Sequence, residues 1–230
     1  MDNFKIIAHI KTDFPTKFGI PRQSGLIKST KGKIVFCKEY RNPEALRGIE
    51  GFSHLWLLWK FSESVKEEWS PTVRPPRLGG NKRMGVFATR SPFRPNPIGL
   101  SSVKLEKIIE NTLEGTVLEV SGVDLLDNTP IYDIKPYIPF TDSHPDATGG
   151  FSADVFDKSL EVSFEEDILN SIEENVIISL KEILAQDPRP SYQNDIDRIY
   201  SFEYSHYKIK FSVNGQKLRV HEILDLREKS

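Results

Sequence analysis

The chain has 230 residues, of which 38% are hydrophobic and 28% are charged, and its formal net charge is −2. This composition is typical of a globular protein with one large domain or two modest ones. Charged residues interrupt every apolar stretch well before the roughly 20 residues needed to cross a bilayer, and the N-terminus lacks the pattern of a secretory signal. A single cysteine excludes an internal disulfide. We therefore expect a cytoplasmic protein without a membrane span.

Alternating apolar and polar residues dominate the first 140 residues and predict short β-strands. One short helix is expected at residues 42–48, with Asn42 as the cap, Pro43 at the first helical position and Gly48 as the stop. Strands with so little helix between them favour a barrel or a sandwich over an open parallel sheet. The predicted strands span residues 4–10, 33–38, 54–61, 85–89, 100–109, 115–120 and 131–137.

Residues 71–97 contain six of the fifteen prolines and six Lys or Arg residues, but no acidic residue. Proline fixes one torsion and disfavours helix in the residue before it, so a long, stiff and irregular loop is expected, with one short strand at residues 84–88. Two interpretations of its charge stay open. The loop either binds a phosphate-bearing or otherwise anionic partner, or its arginines pair with acids from elsewhere in the fold.

Turn-forming residues at positions 141–153 indicate a linker, and we place a domain boundary near Gly150, between domains 1–150 and 151–230. Residues 163–166 match a capping box, and apolar residues at helical spacing follow as far as Pro188, either as one helix or as two divided at Asn175. The tail is expected to form an antiparallel unit from residues 198–203, 207–213 and 217–224, with an Asn-Gly turn. These patterns predict a small α+β C-terminal domain.

The common signatures of catalytic and nucleotide-binding sites are missing from the sequence. The five histidines are scattered, without metal-ligand spacing, so no metal site is expected. The chain contains no Walker loop, no Gly-x-Ser-x-Gly elbow and no Gly-x-Gly-x-x-Gly between a strand and a helix. A nucleotide-derived cofactor would need a geometry different from that of the Rossmann crevice.

Three blocks of sequence closely resemble the TsaA-like, or TrmO, family. They are residues 17–23 (KFGIPRQ), residues 51–56 (GFSHLW) and the 25 residues 77–101, a block far more specific than any short motif. Further matches lie at residues 124–130, 133–137 and 184–192.

The resemblance implies an N-terminal antiparallel β-barrel and a defined reaction. Members of this family use S-adenosylmethionine to methylate N6 of N6-threonylcarbamoyladenosine (t6A) at position 37, in the anticodon loop of tRNA. The resemblance also implies a homodimer in which neighbouring subunits help to complete the site.

The resemblance further implies which residues contact the cofactor. In the family these are a Pro-Arg-Gln turn, two residues after an aromatic strand, the arginine of Ala-Thr-Arg, the residue before the serine of Ile-Gly-x-Ser, and an Asp-Gly-Thr-Pro turn. The matching positions are Pro21, Arg22, Gln23, Ser62, Glu63, Arg90, Leu100, Asp127, Asn128, Thr129 and Pro130.

Two of these positions depart from the family pattern. Asn128 stands where glycine is expected, and asparagine is the next best residue for a positive φ, so the turn can keep its backbone shape. Ser62 and Glu63 replace a pair that contains histidine, so only the backbone contacts are expected to carry over. On the residues alone, positions 127–130 form a plain β-turn.

Methyl transfer from a sulfonium needs alignment, exclusion of water and a destination for the substrate proton, and it needs neither a metal nor a covalent intermediate. Asp127 and Glu63 suit the cationic centres or the ribose hydroxyls of the cofactor. Arginines suit carboxylate or phosphate through paired hydrogen bonds. Three residues are candidates for the general base, and the sequence prefers none of them: Asp127, Asp133 and Tyr137.

The loop of residues 71–97, here called the basic loop, is expected to contact the RNA. Phe93 is predicted to stack on a base, whereas Trp56 and Trp59 are interpreted as core residues. The predicted RNA-binding residues are Arg77, Lys82, Arg83, Phe93, Arg94, Asn96, Arg189 and Tyr192. A second hypothesis stays open: a noncatalytic RNA-binding barrel that uses the basic loop as a phosphate clamp.

Overall fold

A computed structural model of the chain describes residues 4–63, 68–75, 82–155, 159–189 and 195–229. Three short helices occur in this part, α1 (Pro139–Asp142), α2 (Glu166–Ser171) and α3 (Glu174–Ala185). The strands in chain order are β1 (Ala8–Thr12), β2 (Lys31–Phe36), β3 (His54–Lys60), β4 (Thr72–Val73), β5 (Met84–Gly85), β6 (Ile98–Thr112), β7 (Gly115–Ser121), β8 (Thr129–Pro136), β9 (Glu161–Phe164), β10 (Tyr200–Tyr204), β11 (Tyr207–Asn214) and β12 (Lys217–Asp225).

Six strands close into an antiparallel barrel in the order β1-β2-β7-β6-β3-β8. Alternate residues face its interior, as the period of a strand requires, so Leu55 and Leu57 of β3 are fully buried while Trp56 between them lies on the outer face. The interior is filled by branched aliphatic side chains such as Ile10, Ile34 and Ile131. The predicted mainly β fold with an N-terminal antiparallel barrel is confirmed.

Two local predictions for the first half of the chain need correction. The strand expected at residues 84–88 is limited to Met84 and Gly85, because Val86–Ala88 form one 3-10 turn that Thr89 closes by donating from its backbone N–H to the carbonyl of Val86. The helix expected after Asn42 is a 3-10 turn, Pro43–Leu46, although Asn42 does cap it through Glu44 N. The first segment forms a strand of only two residues, and the second is too short for an α-helix.

The second half of the chain forms a four-stranded sheet in the order β10-β11-β12-β9. The antiparallel strands β10, β11 and β12 agree with the prediction, but β9 was missed, and it pairs parallel to β12. Ser163 therefore lies in a strand, where its hydroxyl donates to the carbonyl of Leu218, and does not begin a capping box. The helical region is divided at residues 172–173 and not at Asn175.

The barrel and the second sheet pack directly against each other and share one hydrophobic core. The ring of Phe14 meets Tyr204 edge to face at 5.3 Å, and Phe18 meets Phe202 at 6.3 Å. The backbone N–H of Ser205 donates to the carbonyl of Asp13 at 2.6 Å. The boundary near Gly150 stays a prediction, and the two parts on either side of it are in close contact.

No helix in the described ranges is both long and apolar enough to cross a membrane.

Candidate functional site

A cleft of about 420 Å³ opens at the end of the barrel where β3 ends and β6 begins. The turn at residues 17–23 forms one wall, and the basic loop contributes two arginines. The cleft is lined by Lys17, Ile20, Pro21, Arg22, Gln23, Trp59, Lys60, Phe61, Ser62, Glu63, Arg90, Arg94, Ile98, Gly99, Leu100, Asp124, Leu126 and Thr129.

Trp59 reaches the cleft because β3 changes register at its end. A bulge between Leu58 and Trp59 interrupts the pairing with β8, and bulges commonly redirect a side chain. The indole packs on Phe61, with ring centroids 4.3 Å apart, and lies over Gly99, which faces it on β6. Because glycine has no side chain, the indole can lie directly against the strand. Trp59 packs against the hydrophobic core, as was predicted, but it also lines the cleft, which was not predicted.

A hydrogen-bonded chain runs from Trp59 through Ser101 to Asp124. The indole Nε1 donates to Ser101 Oγ at 3.0 Å, and Ser101 Oγ donates to Asp124 Oδ1 at 2.6 Å. The direction of both bonds is fixed, because an indole N–H only donates and an ionised carboxylate only accepts. Loss of hydration raises the pKa of Asp124 to about 6, and the hydrogen bond from Ser101 and the positive charge of Arg90 limit that rise.

Cationic side chains outnumber acids in the cleft lining, where Glu63 and Asp124 are the acidic residues. Arg90 is exposed and donates to the side-chain oxygen of Gln23, so the basic loop meets the turn at residues 17–23. Lys17 lies 3.7 Å from the Glu63 carboxylate, and the two side chains are 50% and 59% exposed. The exposed positive charge makes the rim attractive to anions.

The other two cleft arginines bond to backbone carbonyls. Arg22 Nη2 donates to the carbonyl of Asp187 at 3.2 Å, which ties the wall of the cleft to the C-terminal half of the chain. Arg94 Nη2 donates to the carbonyls of Thr89 and Val86 at 2.6 and 3.2 Å, so it holds the backbone just before Arg90. Its buried Nε has no hydrogen-bond partner within the described part of the chain.

The turn before β8 borders the cleft. Asn128 has φ 62°, which confirms that asparagine keeps the backbone shape expected of glycine there. Asp127 Oδ1 accepts from the backbone N–H of Thr12 at 3.0 Å, and Asp127 Oδ2 accepts from Asn128 Nδ2 at 2.8 Å. The turn is therefore anchored to β1, and Thr129 extends from it into the cleft lining.

Two family models together match most of the chain. The N-terminal domain of tRNA-methyltransferase O matches residues 9–143, and the C-terminal domain of TrmO matches residues 157–226. The chain belongs to the TrmO family.

Two curated relatives and a solved structure resemble the chain over most of its length. The tRNA (adenine(37)-N6)-methyltransferase of Escherichia coli is 41% identical over 225 residues, which cover 94% of this chain and 95% of that protein. A protein of Pseudomonas aeruginosa named as a putative S-adenosylmethionine-dependent methyltransferase, RcsF, is 42% identical over 81% of both chains. A crystal structure of TrmO from the same organism superposes with a TM-score of 0.76 at 31% identity and covers 97% of this chain and 99% of its own.

Most of the cofactor positions implied by the resemblance to TrmO proteins lie in the cleft. Eight of the eleven are among its lining residues, namely Pro21, Arg22, Gln23, Ser62, Glu63, Arg90, Leu100 and Thr129. The other three, Asp127, Asn128 and Pro130, belong to the turn beside it and do not line it.

Asp133 and Tyr137 lie away from the cleft. Asp133 is in the middle of β8 and pairs with Lys135 at 2.9 Å. Tyr137 packs against His54 and Trp56, toward the start of β3, whereas the cleft lies at the end of that strand. Neither residue is among the cleft lining, so the geometry gives no support to either as the base. The sequence interpretation overlooked Asp124, which lines the cleft together with Glu63.

The predicted RNA-binding residues have different surroundings. Lys82, Arg83 and Asn96 are exposed, whereas Phe93 is only partly exposed. Arg189 is 9% exposed, and its guanidinium bonds to both oxygens of Asp187 at 2.8 and 3.0 Å. An internal pair of this kind does not support the prediction that Arg189 contacts RNA. Arg77 and Tyr192 lie outside the described residues.

Residues 71–97 also carry Phe87, another aromatic candidate for stacking on a base, and its pairing with Trp69 was not predicted. Phe87 is 75% exposed and stacks on Trp69, which is 50% exposed, with ring centroids 6.2 Å apart. Phe93 was predicted to stack on a base because it lies between Pro92 and Arg94. Phe87 is more exposed than Phe93, so its ring is more accessible to a base.

Proposed function

We propose that this protein is an S-adenosylmethionine-dependent methyltransferase that methylates N6 of adenosine 37 in tRNA, with t6A as the substrate nucleoside. The main support is that eight of the eleven expected cofactor positions, which come from well-separated segments of the chain, line one cleft. Relatives that the chain matches over nearly their full length are named as adenine-37 N6-methyltransferases. The related P. aeruginosa protein bears the name of an S-adenosylmethionine-dependent methyltransferase.

The cleft fits this cofactor in size and in chemistry. Its volume of about 420 Å³ lies within the roughly 300–1,000 Å³ of small-molecule sites. The carboxylate of Glu63 complements the sulfonium or ammonium charge, and arginines complement the carboxylate of the methionine part. The Trp59 indole lies against Gly99 and lines the cleft, so it offers an aromatic surface to a flat group of the cofactor.

When bound, S-adenosylmethionine supplies a methyl group that is already activated by a positive sulfur. The protein contributes position and charge. The turn at residues 17–23, Leu100 and Thr129 form the walls of the site. Arg94 fixes the backbone that presents Arg90, and Asp127 anchors the neighbouring turn to β1. Alignment of this kind is a main source of catalysis when the leaving group needs no further activation.

The proposed preference for t6A is based on the charge at the mouth of the cleft. The threonylcarbamoyl group carries a carboxylate close to the N6 atom that receives the methyl group. Exposed Arg90, together with Lys17, supplies cationic donors at that position. An arginine binds a carboxylate through two parallel hydrogen bonds, which provides orientation as well as charge.

The proposal includes a cytoplasmic homodimer. Support for a second subunit comes from large apolar side chains that are open to solvent in the described part of the chain, including Phe140, which is 88% exposed, and Phe87. Light scattering at several protein concentrations tests the dimer. A mass equal to that of one 26.3 kDa chain throughout would contradict it.

Methyl transfer to defined tRNAs tests the proposed function. Purified protein with methyl-labelled S-adenosylmethionine is expected to label a tRNA that carries t6A at least about 100-fold faster than the same unmodified transcript, because a site built for a polar group rejects a substrate that lacks it. Nuclease digestion and mass spectrometry locate the methyl group. Equal labelling of both RNAs would refute the preference for t6A, and no labelling of either would refute the methyltransferase.

Calorimetry separates the enzyme from the phosphate-clamp alternative. We expect S-adenosylmethionine to bind with a micromolar Kd that weakens at least tenfold in Arg90→Ala, since one charge-assisted hydrogen bond contributes about 1.5–3 kcal/mol. Arg47→Ala, which removes an exposed arginine paired with Glu44 outside the cleft, serves as the matched control and should leave the Kd unchanged. Tight tRNA binding without any cofactor binding would instead support the clamp.

A further inference from the structure

Asp124 lines the cleft, accepts a hydrogen bond from Ser101 and has a raised pKa. The proposed function has not yet given it a role in proton transfer. Glu63, the other acid in the lining, is 59% exposed in its side chain and is paired with Lys17. Asp127 has both carboxylate oxygens engaged by Thr12 N and Asn128 Nδ2 outside the cleft lining. Asp124 is therefore the best-placed acid for accepting a proton inside the cleft.

The neighbours of Asp124 hold its carboxylate in one orientation. Ser101 is completely buried; its oxygen accepts from the Trp59 indole, and its hydroxyl donates to Asp124 because an ionised carboxylate only accepts. The backbone N–H of Ser24 gives further hydrogen-bond support. The positive charge of Arg90 lowers the pKa of Asp124. The other charged groups of the cleft are Lys17, Arg22, Lys60, Glu63 and Arg94.

We propose that Asp124 is the general base that accepts the N6 proton of the substrate adenosine during methyl transfer. This inference rests on the proposed function, because N6 of t6A is a ureido nitrogen whose lone pair is delocalised into a carbonyl and which becomes a good nucleophile only as its proton leaves. The bond from N6 to the methyl carbon forms, the carbon–sulfur bond breaks with its electron pair remaining on sulfur, and the N6 proton passes to a carboxylate oxygen of Asp124.

Partial burial suits Asp124 to this role. Its pKa of about 6 keeps the carboxylate ionised at neutral pH and makes it a stronger base than an ordinary aspartate. Protonation below that pH removes the acceptor. The single-turnover rate should therefore fall about tenfold per pH unit below pH 6 and be level above it.

Asp124→Asn is the direct test, because the amide keeps an oxygen for Ser101 but accepts no proton at neutral pH. In single-turnover assays with t6A-containing tRNA at pH 7.5, we expect the rate to fall by about 10²–10⁴-fold. The Kd for S-adenosylmethionine should stay within about fivefold of the wild-type value. Asp146→Asn, an exposed aspartate outside the cleft lining, is the matched control and should retain the wild-type rate.

Ser101→Ala provides a test that needs no change at Asp124. Loss of the hydrogen bond from Ser101 raises the pKa of the carboxyl further, so the acid limb of the rate profile should move to higher pH by about one unit. A purely structural role for Ser101 would lower the rate at every pH without moving the limb. In the free wild-type protein, a carbon-13 NMR titration should show one aspartate carboxyl with a midpoint near pH 6.

Several outcomes would overturn the proposal. They are an Asp124→Asn rate within threefold of wild type, a loss of rate fully explained by lost cofactor binding, or an acid limb that does not move in Ser101→Ala. If Asp124→Asn does not fold, the Ser101→Ala profile and the NMR titration decide. Failure of the base alone leaves wild-type methyl transfer intact, whereas absence of transfer by the wild-type protein refutes the proposed function as well.

Discussion

Gly99→Ala is expected to lower kcat/KM for tRNA methylation by at least about 100-fold while the barrel stays folded. A Cβ atom at residue 99 would lie within 3.0 Å of three ring carbons of Trp59, and the pairing of β3 with β6 places these two residues directly opposite each other. The pairing of β6 with β3 holds the backbone of Gly99 under the ring, so the indole has to move. A displacement of about 1 Å near reacting groups can change a rate by about 100-fold.

The displaced indole would also lose its bond to Ser101, and with it the support of Asp124. Overpacking costs about 1–3 kcal/mol, which leaves a typical domain folded. Steady-state kinetics with t6A-containing tRNA and thermal melting measure the two effects. Gly51→Ala, at an exposed glycine with nothing within 4 Å of the added Cβ, is the matched control and should behave like wild type. Comparable activity in both variants would show that Trp59 need not lie against β6.

Gly19→Ala is expected to reduce the free energy of unfolding by about 2–5 kcal/mol. Gly19 has φ 94°, where an L-residue costs about 1–2 kcal/mol, and an added Cβ would lie within 3.0 Å of two ring carbons of Phe202. That ring is 3% exposed and belongs to the core shared by the barrel and the second sheet, so it has little room to move. Overpacking supplies the remaining cost.

Gly48→Ala separates the two causes, since Gly48 has φ 89° but nothing lies within 4 Å of its added Cβ. Urea unfolding should show a loss of only about 1–2 kcal/mol for this variant. The double variant Gly19→Ala with Phe202→Leu should recover part of the packing loss in a double-mutant cycle. Equal losses for Gly19→Ala and Gly48→Ala would mean that the ring adapts without cost.

Elements with a strong local pattern were predictable from the sequence. The strands β2, β3 and β7 lie within two residues of their predicted ends, because each is a short segment rich in β-branched or aromatic residues with turn-forming or polar residues beside it. The barrel followed from many such strands and little helix. The small strand β9 was missed because its four residues gain their stability from β12, about 55 positions later, and local sequence does not reveal that partner.

The site was predictable as a set of positions but not as a mechanism. The matched blocks contain Ser101 and Asp124 within or beside them, yet the sequence favoured Asp127, Asp133 and Tyr137 as bases. What distinguishes Asp124 is its hydrogen bond to Ser101, its burial and the indole beyond. Pairing between β3 and β6 brings Trp59 close to Ser101, and the segment between β7 and β8 brings Asp124 to the same serine. The sequence did show a serine and an acid, Ser101 and Asp124, in separate matched blocks. Their spacing along the chain does not reveal that the two side chains lie within hydrogen-bonding distance.

The contacts of residues 13–22 with the C-terminal half have a consequence for how activity is lost on heating. The wall of the cleft packs on Phe202, and Arg22 bonds to the backbone of Asp187. Neither half can open locally without uncovering aromatic surface that belongs to both. Inactivation and melting should therefore coincide as one cooperative event, and an enzyme warmed to its midpoint would be a mixture of fully competent and fully unfolded molecules.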